Sequence, residues 1–272
     1  MKADRPDPAT LPREPLARLL KVMAWLRDPE QGCPWDIEQT FRTIAPYTIE
    51  EAYEVSDAID RNDMPALKEE LGDLLLQVVY HAQMAAEAKA FDFADVAAAI
   101  ADKMVDRHPH VFGDQTVPSA EAQTVSWEAR KAAERAAKPD TGTLDGVAKA
   151  LPALLRAEKL QKLAAQVGFD WASIGPVIDK IEEEIGELRA ELAASKADAA
   201  RTADEIGDVL FAVANLARHC KVDPEAALRS TNDKFERRFH YVEKKLAEQG
   251  RKPAEASLEE METLWQAAKT AA

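Results

Sequence analysis

Hydrophobic residues recur every three or four positions through most of this chain, as in α-helices that pack along one face. Two such faces consist of Val177, Ile181, Ile185 and Leu188, and of Ile206, Val209, Val213 and Leu216. Helix-start and helix-stop signals predict helices over 16–27, 46–59, 64–88, 92–107, 126–137, 151–166, 176–194, 202–220, 224–248 and 257–269. Loops are expected at 32–36 and 167–171, and an irregular segment at 108–118. The pattern therefore predicts an all-α protein.

Acidic residues flank these apolar faces and are not spread evenly around the helices. Lys180, Glu184 and Glu187 form a stripe beside the first face. Beside the second face, the polar stripe consists of Glu205, Asp208, Asn215 and His219. If the two helices pack against each other, the carboxylates will line one groove.

The acidic pattern occurs twice in the chain. Residues 50–54 read E-E-A-Y-E and precede an E-x-x-D at 70–73, whereas residues 183–187 read E-E-I-G-E and precede an E-x-x-D at 205–208. The pattern D-K-x-x-x-R also occurs twice, at 102–107 and 233–238. The offset between equivalent positions is nearly constant along the chain, from the first acidic motif to the last basic one. We therefore expect two duplicated domains, 1–138 and 146–272, with a loose leader at 1–14 and a linker at 139–145.

Composition narrows the class of protein. The chain has 272 residues, 46% of them hydrophobic, but only 10 glycines, which favours helices over other folds. Its net charge of −14 argues against binding to the backbone of nucleic acids. No apolar run reaches the roughly 18 residues that a membrane span requires. Cys33 and Cys220 have no metal-site spacing and are interpreted as reduced thiols, so a cytoplasmic protein is expected.

Carboxylates grouped in this way repel one another unless a cation neutralises them. Oxygen ligands alone favour Mg²⁺, or alternatively Mn²⁺, over zinc. Basic residues near the second group are available for phosphate oxygens: Lys180, Arg201, Lys234 and Arg238. This combination predicts metal-assisted attack of water on a phosphoryl group. Solvated helix faces with i,i+4 ion pairs, here Lys180–Glu184 and Arg201–Glu205, are the structural alternative, and the repetition of the whole motif argues against it.

Several sequence marks together resemble the MazG family of nucleoside triphosphate pyrophosphohydrolases. Besides the two acidic motifs, they are G-C-P-W-D at 32–36, R-H-P-H-V-F at 107–112 and N-D-K-F-E-R-R-F at 232–239. The resemblance covers about residues 12–270. It implies tandem helical domains in a homodimer and Mg²⁺-dependent hydrolysis of nucleoside triphosphates to nucleoside monophosphate and pyrophosphate. A role in nucleotide-pool housekeeping is implied as well.

The resemblance also assigns roles to individual residues. In the second half, the metal ligands and catalytic carboxylates are Glu184, Glu187, Glu205 and Asp208. The implied substrate-binding residues are Lys180, Arg201, Asn215, Lys234, Arg238 and Trp265. The family has Lys at the position of Arg201, so the charge is kept and the geometry differs.

In the first half, the implied metal ligands are Glu51, Glu54, Glu70 and Asp73. The positions of Lys180, Arg201 and Asn215 are occupied there by Tyr47, Ala66 and Tyr80. Because these basic and amide partners are absent, we expect the second half to be the main catalytic domain.

Three alternatives remain open from the sequence. The first is a narrower enzyme that hydrolyses dUTP or modified deoxynucleotides. The second is a non-enzymatic helical scaffold with a regulatory role. The third is a di-iron carboxylate protein, which the absence of Glu-x-x-His pairs disfavours. The segment His108-Pro109-His110 is a weaker metal candidate because Pro109 disrupts helical spacing.

Overall fold

The computed structural model describes residues 7–124, 126, 127, 130, 142–194 and 198–270. It contains two compact units, Met1–Glu134 and Arg135–Ala272. The described residues form helices and turns and no β-strand, so the all-α prediction is confirmed. None of the helices in this part of the chain has the length and hydropathy needed to cross a membrane.

The first unit is built around a pair of long helices. Its helices with fully described bounds are α1 (Pro15–Leu26), α2 (Pro34–Glu38), α3 (Phe41–Asp60), α4 (Met64–Glu87), α5 (Phe93–Arg107) and α6 (Pro109–Phe112). The Asp63 side chain caps α4, and Asp92 and Asp95 form a capping box at α5. Helix α4 packs against α3 and also contacts α1 and α5. The core between these helices consists of Met23, Ile44, Val79, Tyr80 and Met84.

The second unit repeats this arrangement. Its helices are α7 (Ala153–Gln166), α8 (Ile174–Leu192), α9 (Ala199–His219), α10 (Pro224–Ala247) and α11 (Leu258–Thr270). The pair α8–α9 corresponds to α3–α4, and α7 packs on α9 and α10. Val177, Val242 and Leu246 are at most 1% exposed and anchor the interior of this unit.

Some helix boundaries differ from the sequence prediction. Helix α3 begins at Phe41, before Pro46, because Thr40 and Thr43 form a capping box that starts the helix earlier. Pro46 therefore lies inside α3 and leaves one backbone carbonyl without its helical hydrogen bond. The expected loop at 32–36 and the irregular segment at 108–118 each contain a short helix that a proline opens.

Two further predictions remain untested. Most of the predicted helix at 126–137 lies outside the described residues, as does part of the linker at 139–145. The domain limits 1–138 and 146–272 therefore stay a prediction.

The buried face of α8–α9 was predicted only in part. Val177 is buried as expected, but Ile185, Ile206 and Val213 are 36% to 45% exposed. Glu184, in contrast, is only 6% exposed. Apolar residues occupy two faces of each helix in this pair. On α8, tertiary packing covers the face that carries Val177 and Glu184.

Candidate active site

Three carboxylates of the second unit converge where α8 packs against α9. Glu184 and Glu187 lie one turn apart on α8, and Glu205 faces them from α9. One carboxylate oxygen from each of the three lies within 4.8 Å of the other two. Asp208, the fourth predicted ligand, is outside this tight group but close enough to influence the Glu205 carboxylate. The sequence prediction therefore identified the acids that the fold brings together.

Glu205 lies among other acidic side chains. Burial, and then the neighbouring charges of Glu187, Asp208 and Glu184, raise the pKa of its carboxyl group. Its Oε2 atom is buried and has no hydrogen-bond partner among the described residues. A buried carboxylate oxygen of this kind requires a donor or a cation. An oxygen-only cluster with an unsatisfied acceptor fits a hard divalent ion.

The first unit contains an equivalent cluster of carboxylates. Oxygens of Glu51, Glu70 and Asp73 lie within 4.8 Å of one another. Burial and the charges of Asp73 and Glu54 raise the pKa of Glu51, and burial with the same two acids raises that of Glu70. Glu54, the remaining predicted ligand, takes part through these interactions. Both halves of the duplicated chain thus contain a group of acids able to hold a metal ion.

Two of the predicted phosphate-binding residues already contact acids. Lys180 Nζ lies 2.7 Å from Glu183 Oε1 and 2.8 Å from Glu184 Oε1, and these contacts raise its pKa. Arg201 does not pair with Glu205, as its i,i+4 spacing suggested, but lies 3.2 Å from the buried Glu191 carboxylate. Lys180 therefore borders the acidic cluster, whereas Arg201 is held towards the other end of α8.

The other predicted substrate residues lie on α10 and α11. The Arg238 guanidinium is 5.8 Å from the centre of the Trp265 ring, and the ring of Phe235 is 5.1 Å from it. Lys234 is exposed nearby on α10. This group is separate from the residues that line the cavity beside the carboxylates. The structure thus distributes the six predicted substrate residues over more than one location.

A cavity of about 350 Å³ adjoins the acidic cluster. Its lining includes four residues predicted from sequence, Lys180, Glu184, Asp208 and Asn215. Sequence reasoning assigned no such role to Gln161, Phe169, Asp170, Phe211 and Arg218, which also line it. Trp171 also lines the cavity and is 42% exposed; the sequence favoured a cover of the core for this residue, with stacking on a base as the alternative. The only sequence signal for Arg218 was its position one helical turn after Asn215.

A polar network closes part of the cavity wall. Arg218 Nε donates a hydrogen bond to Asn215 Oδ1 at 2.9 Å, and its terminal nitrogens bind the Asp170 carboxylate. His219, expected on the face of Glu205 and Asp208, has its Nε2 3.1 Å from Asp170 Oδ1. Arg218 lowers the pKa of Asp170, so this carboxylate remains ionised.

Corresponding positions in the first unit are filled differently. Tyr80, at the position of Asn215, is 4% exposed and belongs to the hydrophobic core. Its hydroxyl donates to the Asp36 carbonyl at 2.8 Å. Tyr47, at the position of Lys180, packs edge-on against Trp35, with ring centres 6.4 Å apart. The first unit therefore keeps the carboxylates and replaces the polar wall with aromatic packing.

Comparison with known proteins places this architecture in a family. A model of the MazG nucleotide pyrophosphohydrolase domain matches residues 39–112 and 176–242, which contain both acidic clusters. The chain belongs to the MazG family. It is 53% identical to a nucleoside triphosphate pyrophosphohydrolase of Escherichia coli K12, over 93% of this chain and 96% of that protein. It is 42% identical to the nucleoside triphosphate pyrophosphohydrolase/pyrophosphatase MazG of Thermotoga maritima, over 92% and 94% of the two chains.

This MazG chain also resembles a protein whose name states no activity. It is 46% identical to the Bacillus subtilis protein YabN, over 91% of this chain and 50% of that protein. The tandem MazG unit therefore also matches half of a longer protein.

The raised pKa of Glu205 predicts how pH affects the metal-free protein. The folded state holds a proton on Glu205 to a higher pH than the unfolded chain does, so ionisation of this group weakens folding as pH rises from 4.5 through its folded pKa. Glu205→Gln removes the charge. Relative to the wild type, this variant is expected to stabilise the metal-free protein more at pH 7 than at pH 4.5. Urea unfolding of both proteins in the presence of a chelator measures this difference. Equal stabilisation at the two pH values would contradict it.

Proposed function

We propose that this protein hydrolyses nucleoside triphosphates to nucleoside monophosphate and pyrophosphate in a metal-dependent reaction that serves nucleotide-pool housekeeping. Membership of the MazG family and the names of its relatives support this activity. The single observation that carries the metal dependence is the Glu184–Glu187–Glu205 cluster with its unpartnered buried Glu205 oxygen. Mg²⁺ is the proposed ion, and Mn²⁺ is a substitute with the same preference for oxygen ligands.

The residues around the cluster have complementary tasks in this reaction. Glu184, Glu187, Glu205 and Asp208 hold the cation, which supplies Lewis-acid stabilisation of phosphate oxygens and makes water a better nucleophile. The oxygen of water attacks the α-phosphorus and its proton passes to solvent, while the bond between this phosphorus and the α,β-bridging oxygen breaks and pyrophosphate leaves with that oxygen. Lys180, which contacts Glu184 at the edge of the cluster, is the proposed ligand of a phosphate oxygen. Lys234, Arg238 and Trp265 lie outside the lining of the cavity beside the cluster, and their contact with the substrate stays a prediction.

The second unit is the proposed main catalyst. Lys180, Arg201 and Asn215 have no basic or amide counterparts in the first unit, where Tyr47, Ala66 and Tyr80 stand. Glu191, which holds Arg201, corresponds to Ala58 when Glu51 is aligned with Glu184. The first unit therefore lacks both members of the Arg201–Glu191 ion pair. The first unit is proposed to bind a metal ion through its carboxylates without rapid turnover.

A homodimer is the proposed assembly. Matching apolar residues of the two halves, Leu71 with Ile206, Leu75 with Leu210 and Val78 with Val213, are 37% to 50% exposed. They follow i, i+4, i+7 spacing on α4 and α9 and form one stripe on each helix. Ile178, Ile185 and Leu192 form a further exposed stripe on α8. Repeated apolar stripes of this kind favour burial against another protein surface, and a second copy of the chain offers the same stripes.

The reaction is tested by identifying its products. Purified protein is treated with a chelator, dialysed, and incubated with ATP, dCTP or dUTP in the presence and absence of Mg²⁺. Chromatography is expected to show the nucleoside monophosphate and pyrophosphate only when the ion is present. Nucleoside diphosphate with phosphate, or no turnover of any of the three, would overturn the proposal. A panel that includes modified deoxynucleotides then measures how narrow the substrate range is.

A further inference from the structure

A buried amide side chain lies beside the carboxylate cluster of the first unit. Gln77, on α4, is only 7% exposed. Its Oε1 atom is buried and has no hydrogen-bond partner among the described residues. Because a buried amide oxygen without a partner destabilises a folded protein, this atom indicates a ligand that the amide oxygen binds.

The position of Gln77 on α4 aligns it with two of the predicted metal ligands. Glu70, Asp73 and Gln77 follow i, i+3, i+7 spacing and therefore lie on one face of the helix. Side chains of an α-helix lean towards its N-terminus, so the Gln77 amide is directed back towards Asp73. Asp73 is exposed and Gln77 is buried, which places the amide at the inner end of this polar stripe.

Contacts between α4 and α3 show what Gln77 faces. One turn after Gln77, His81 Nε2 lies 3.2 Å from Thr48 Oγ1 of α3. One turn before it, Asp73 has a carboxylate oxygen within 4.8 Å of one from Glu51, also on α3. The two helices therefore run antiparallel, and Gln77 faces α3 between Thr48 and Glu51. Since Thr48 already contacts His81, the carboxylate cluster is the site towards which the Gln77 amide is directed.

Apolar residues replace this polar layer in the second unit. When the acidic motifs of the two halves are aligned, Thr48, Gln77 and His81 correspond to Ile181, Ala212 and Leu216. Ala212 is 7% exposed, as Gln77 is, so an apolar side chain is sufficient for packing at this place. Burial of an amide is unfavourable by comparison. The amide of the first unit therefore has a reason other than packing.

We propose that Gln77 Oε1 is a further ligand of the divalent cation of the first unit, beside the carboxylates of Glu51, Glu54, Glu70 and Asp73. This inference rests on the proposed binding of a metal ion by the first unit. A neutral amide oxygen is a hard ligand of the kind that Mg²⁺ and Mn²⁺ accept. An additional protein ligand leaves fewer coordination positions for water and substrate. The first unit thus has a site suited to holding an ion, which agrees with its proposed slow turnover.

The test measures Mn²⁺ binding in a protein whose second cluster is disabled by Glu184→Gln and Glu205→Gln, here called the background protein. Two substitutions are compared in it: Gln77→Met keeps the buried volume and removes the oxygen, whereas Gln77→Glu keeps the oxygen. Free Mn²⁺ is quantified by electron paramagnetic resonance. The dissociation constant of the first-unit site is expected to rise about tenfold or more in Gln77→Met, as for groups that support a metal site. Gln77→Glu is expected to bind Mn²⁺ at least as tightly as the background protein.

Gln83→Met is the matched control on the same helix. The Gln83 amide donates to Glu87 Oε1 at 3.0 Å and takes no part in the cluster, so its loss is expected to leave Mn²⁺ binding unchanged. Circular dichroism verifies that each variant is folded before titration. If Gln77→Met does not fold, Gln77→Ala replaces it, since Ala is the residue that the second unit has at this position.

The remaining outcomes separate this inference from the proposed function. Unchanged Mn²⁺ affinity in Gln77→Met would overturn the role of Gln77 and leave the first-unit metal site in place, as would weaker binding in Gln77→Glu than in Gln77→Met. Glu51→Gln in the background protein tests the site itself. If this variant binds Mn²⁺ as tightly as the background protein, the first unit holds no ion at its carboxylates, and the proposed metal site fails together with the inference.

Discussion

Glu184→Gln is expected to lower the turnover of nucleoside triphosphates by about 100- to 1,000-fold, because it weakens a group that holds charge at the reacting phosphates. Glu184 is 6% exposed and shares a cluster with Glu187 and Glu205. The isosteric amide keeps the volume of the side chain, so the fall reports on charge and not on packing. The measurement is kcat with saturating Mg²⁺ and pyrophosphate as the detected product.

Glu51→Gln provides the internal comparison that the duplication offers. Glu51 occupies the same place in the first cluster, and its replacement is expected to leave most of the turnover intact. Glu182→Gln, at an exposed position of α8, controls for the loss of one negative charge from that helix. Titration of Mn²⁺ into the metal-free proteins is expected to show that each cluster variant loses one class of site. Equal loss of turnover in the Glu51 and Glu184 variants would contradict the assignment of catalysis to the second unit.

Leu210→Arg is expected to convert the proposed homodimer to a monomer. Leu210 lies in the exposed stripe of α9, and a guanidinium at this position would have to be buried without a partner in the dimer. Sedimentation equilibrium is expected to give twice the chain mass of 30.0 kDa for the wild type and a single chain mass for the variant. The melting temperature of the wild type, and not of the variant, should rise with protein concentration.

Leu258→Arg is the control for this experiment. Leu258 is 77% exposed at the start of α11 and lies outside the stripe, so the same substitution there should leave the mass unchanged. A monomeric wild type, or a Leu210→Arg protein that remains dimeric, would contradict the proposed interface.

The carboxylate clusters illustrate what local sequence can specify. Glu184 and Glu187 are one helical turn apart, so any helix through them places both on one side. The repetition of the motif at a nearly constant offset indicated that the two halves share an arrangement of paired helices. The prediction that Glu205 joins this cluster required only that α9 packs against α8, and a helical hairpin with a short connection favours such packing.

Residues that meet across several elements were not accessible to the same reasoning. The cavity is lined by residues of α7, the loop at 167–171, α8 and α9. Its lining therefore depends on how α7 packs on α9. Gln161 and Asp170 carry no local signal, because their partners lie 50 and 48 residues away in sequence. Arg201 was associated with Glu205 by spacing along one helix, whereas packing placed it against Glu191 on another.

The sequence by itself determined the helical class, the duplication and the acids of each cluster, since these follow from periodicities within single helices and from a repeated motif. The tertiary structure alone decided which apolar face of α8 and α9 is covered and which is left exposed, because both faces are hydrophobic enough to be buried. It also decided that Tyr80, which the sequence aligns with Asn215, is buried in the hydrophobic core of the first unit, whereas Asn215 lines the cavity of the second. The physical reason is that contacts between helices depend on their relative position and rotation, which no single segment of the chain specifies.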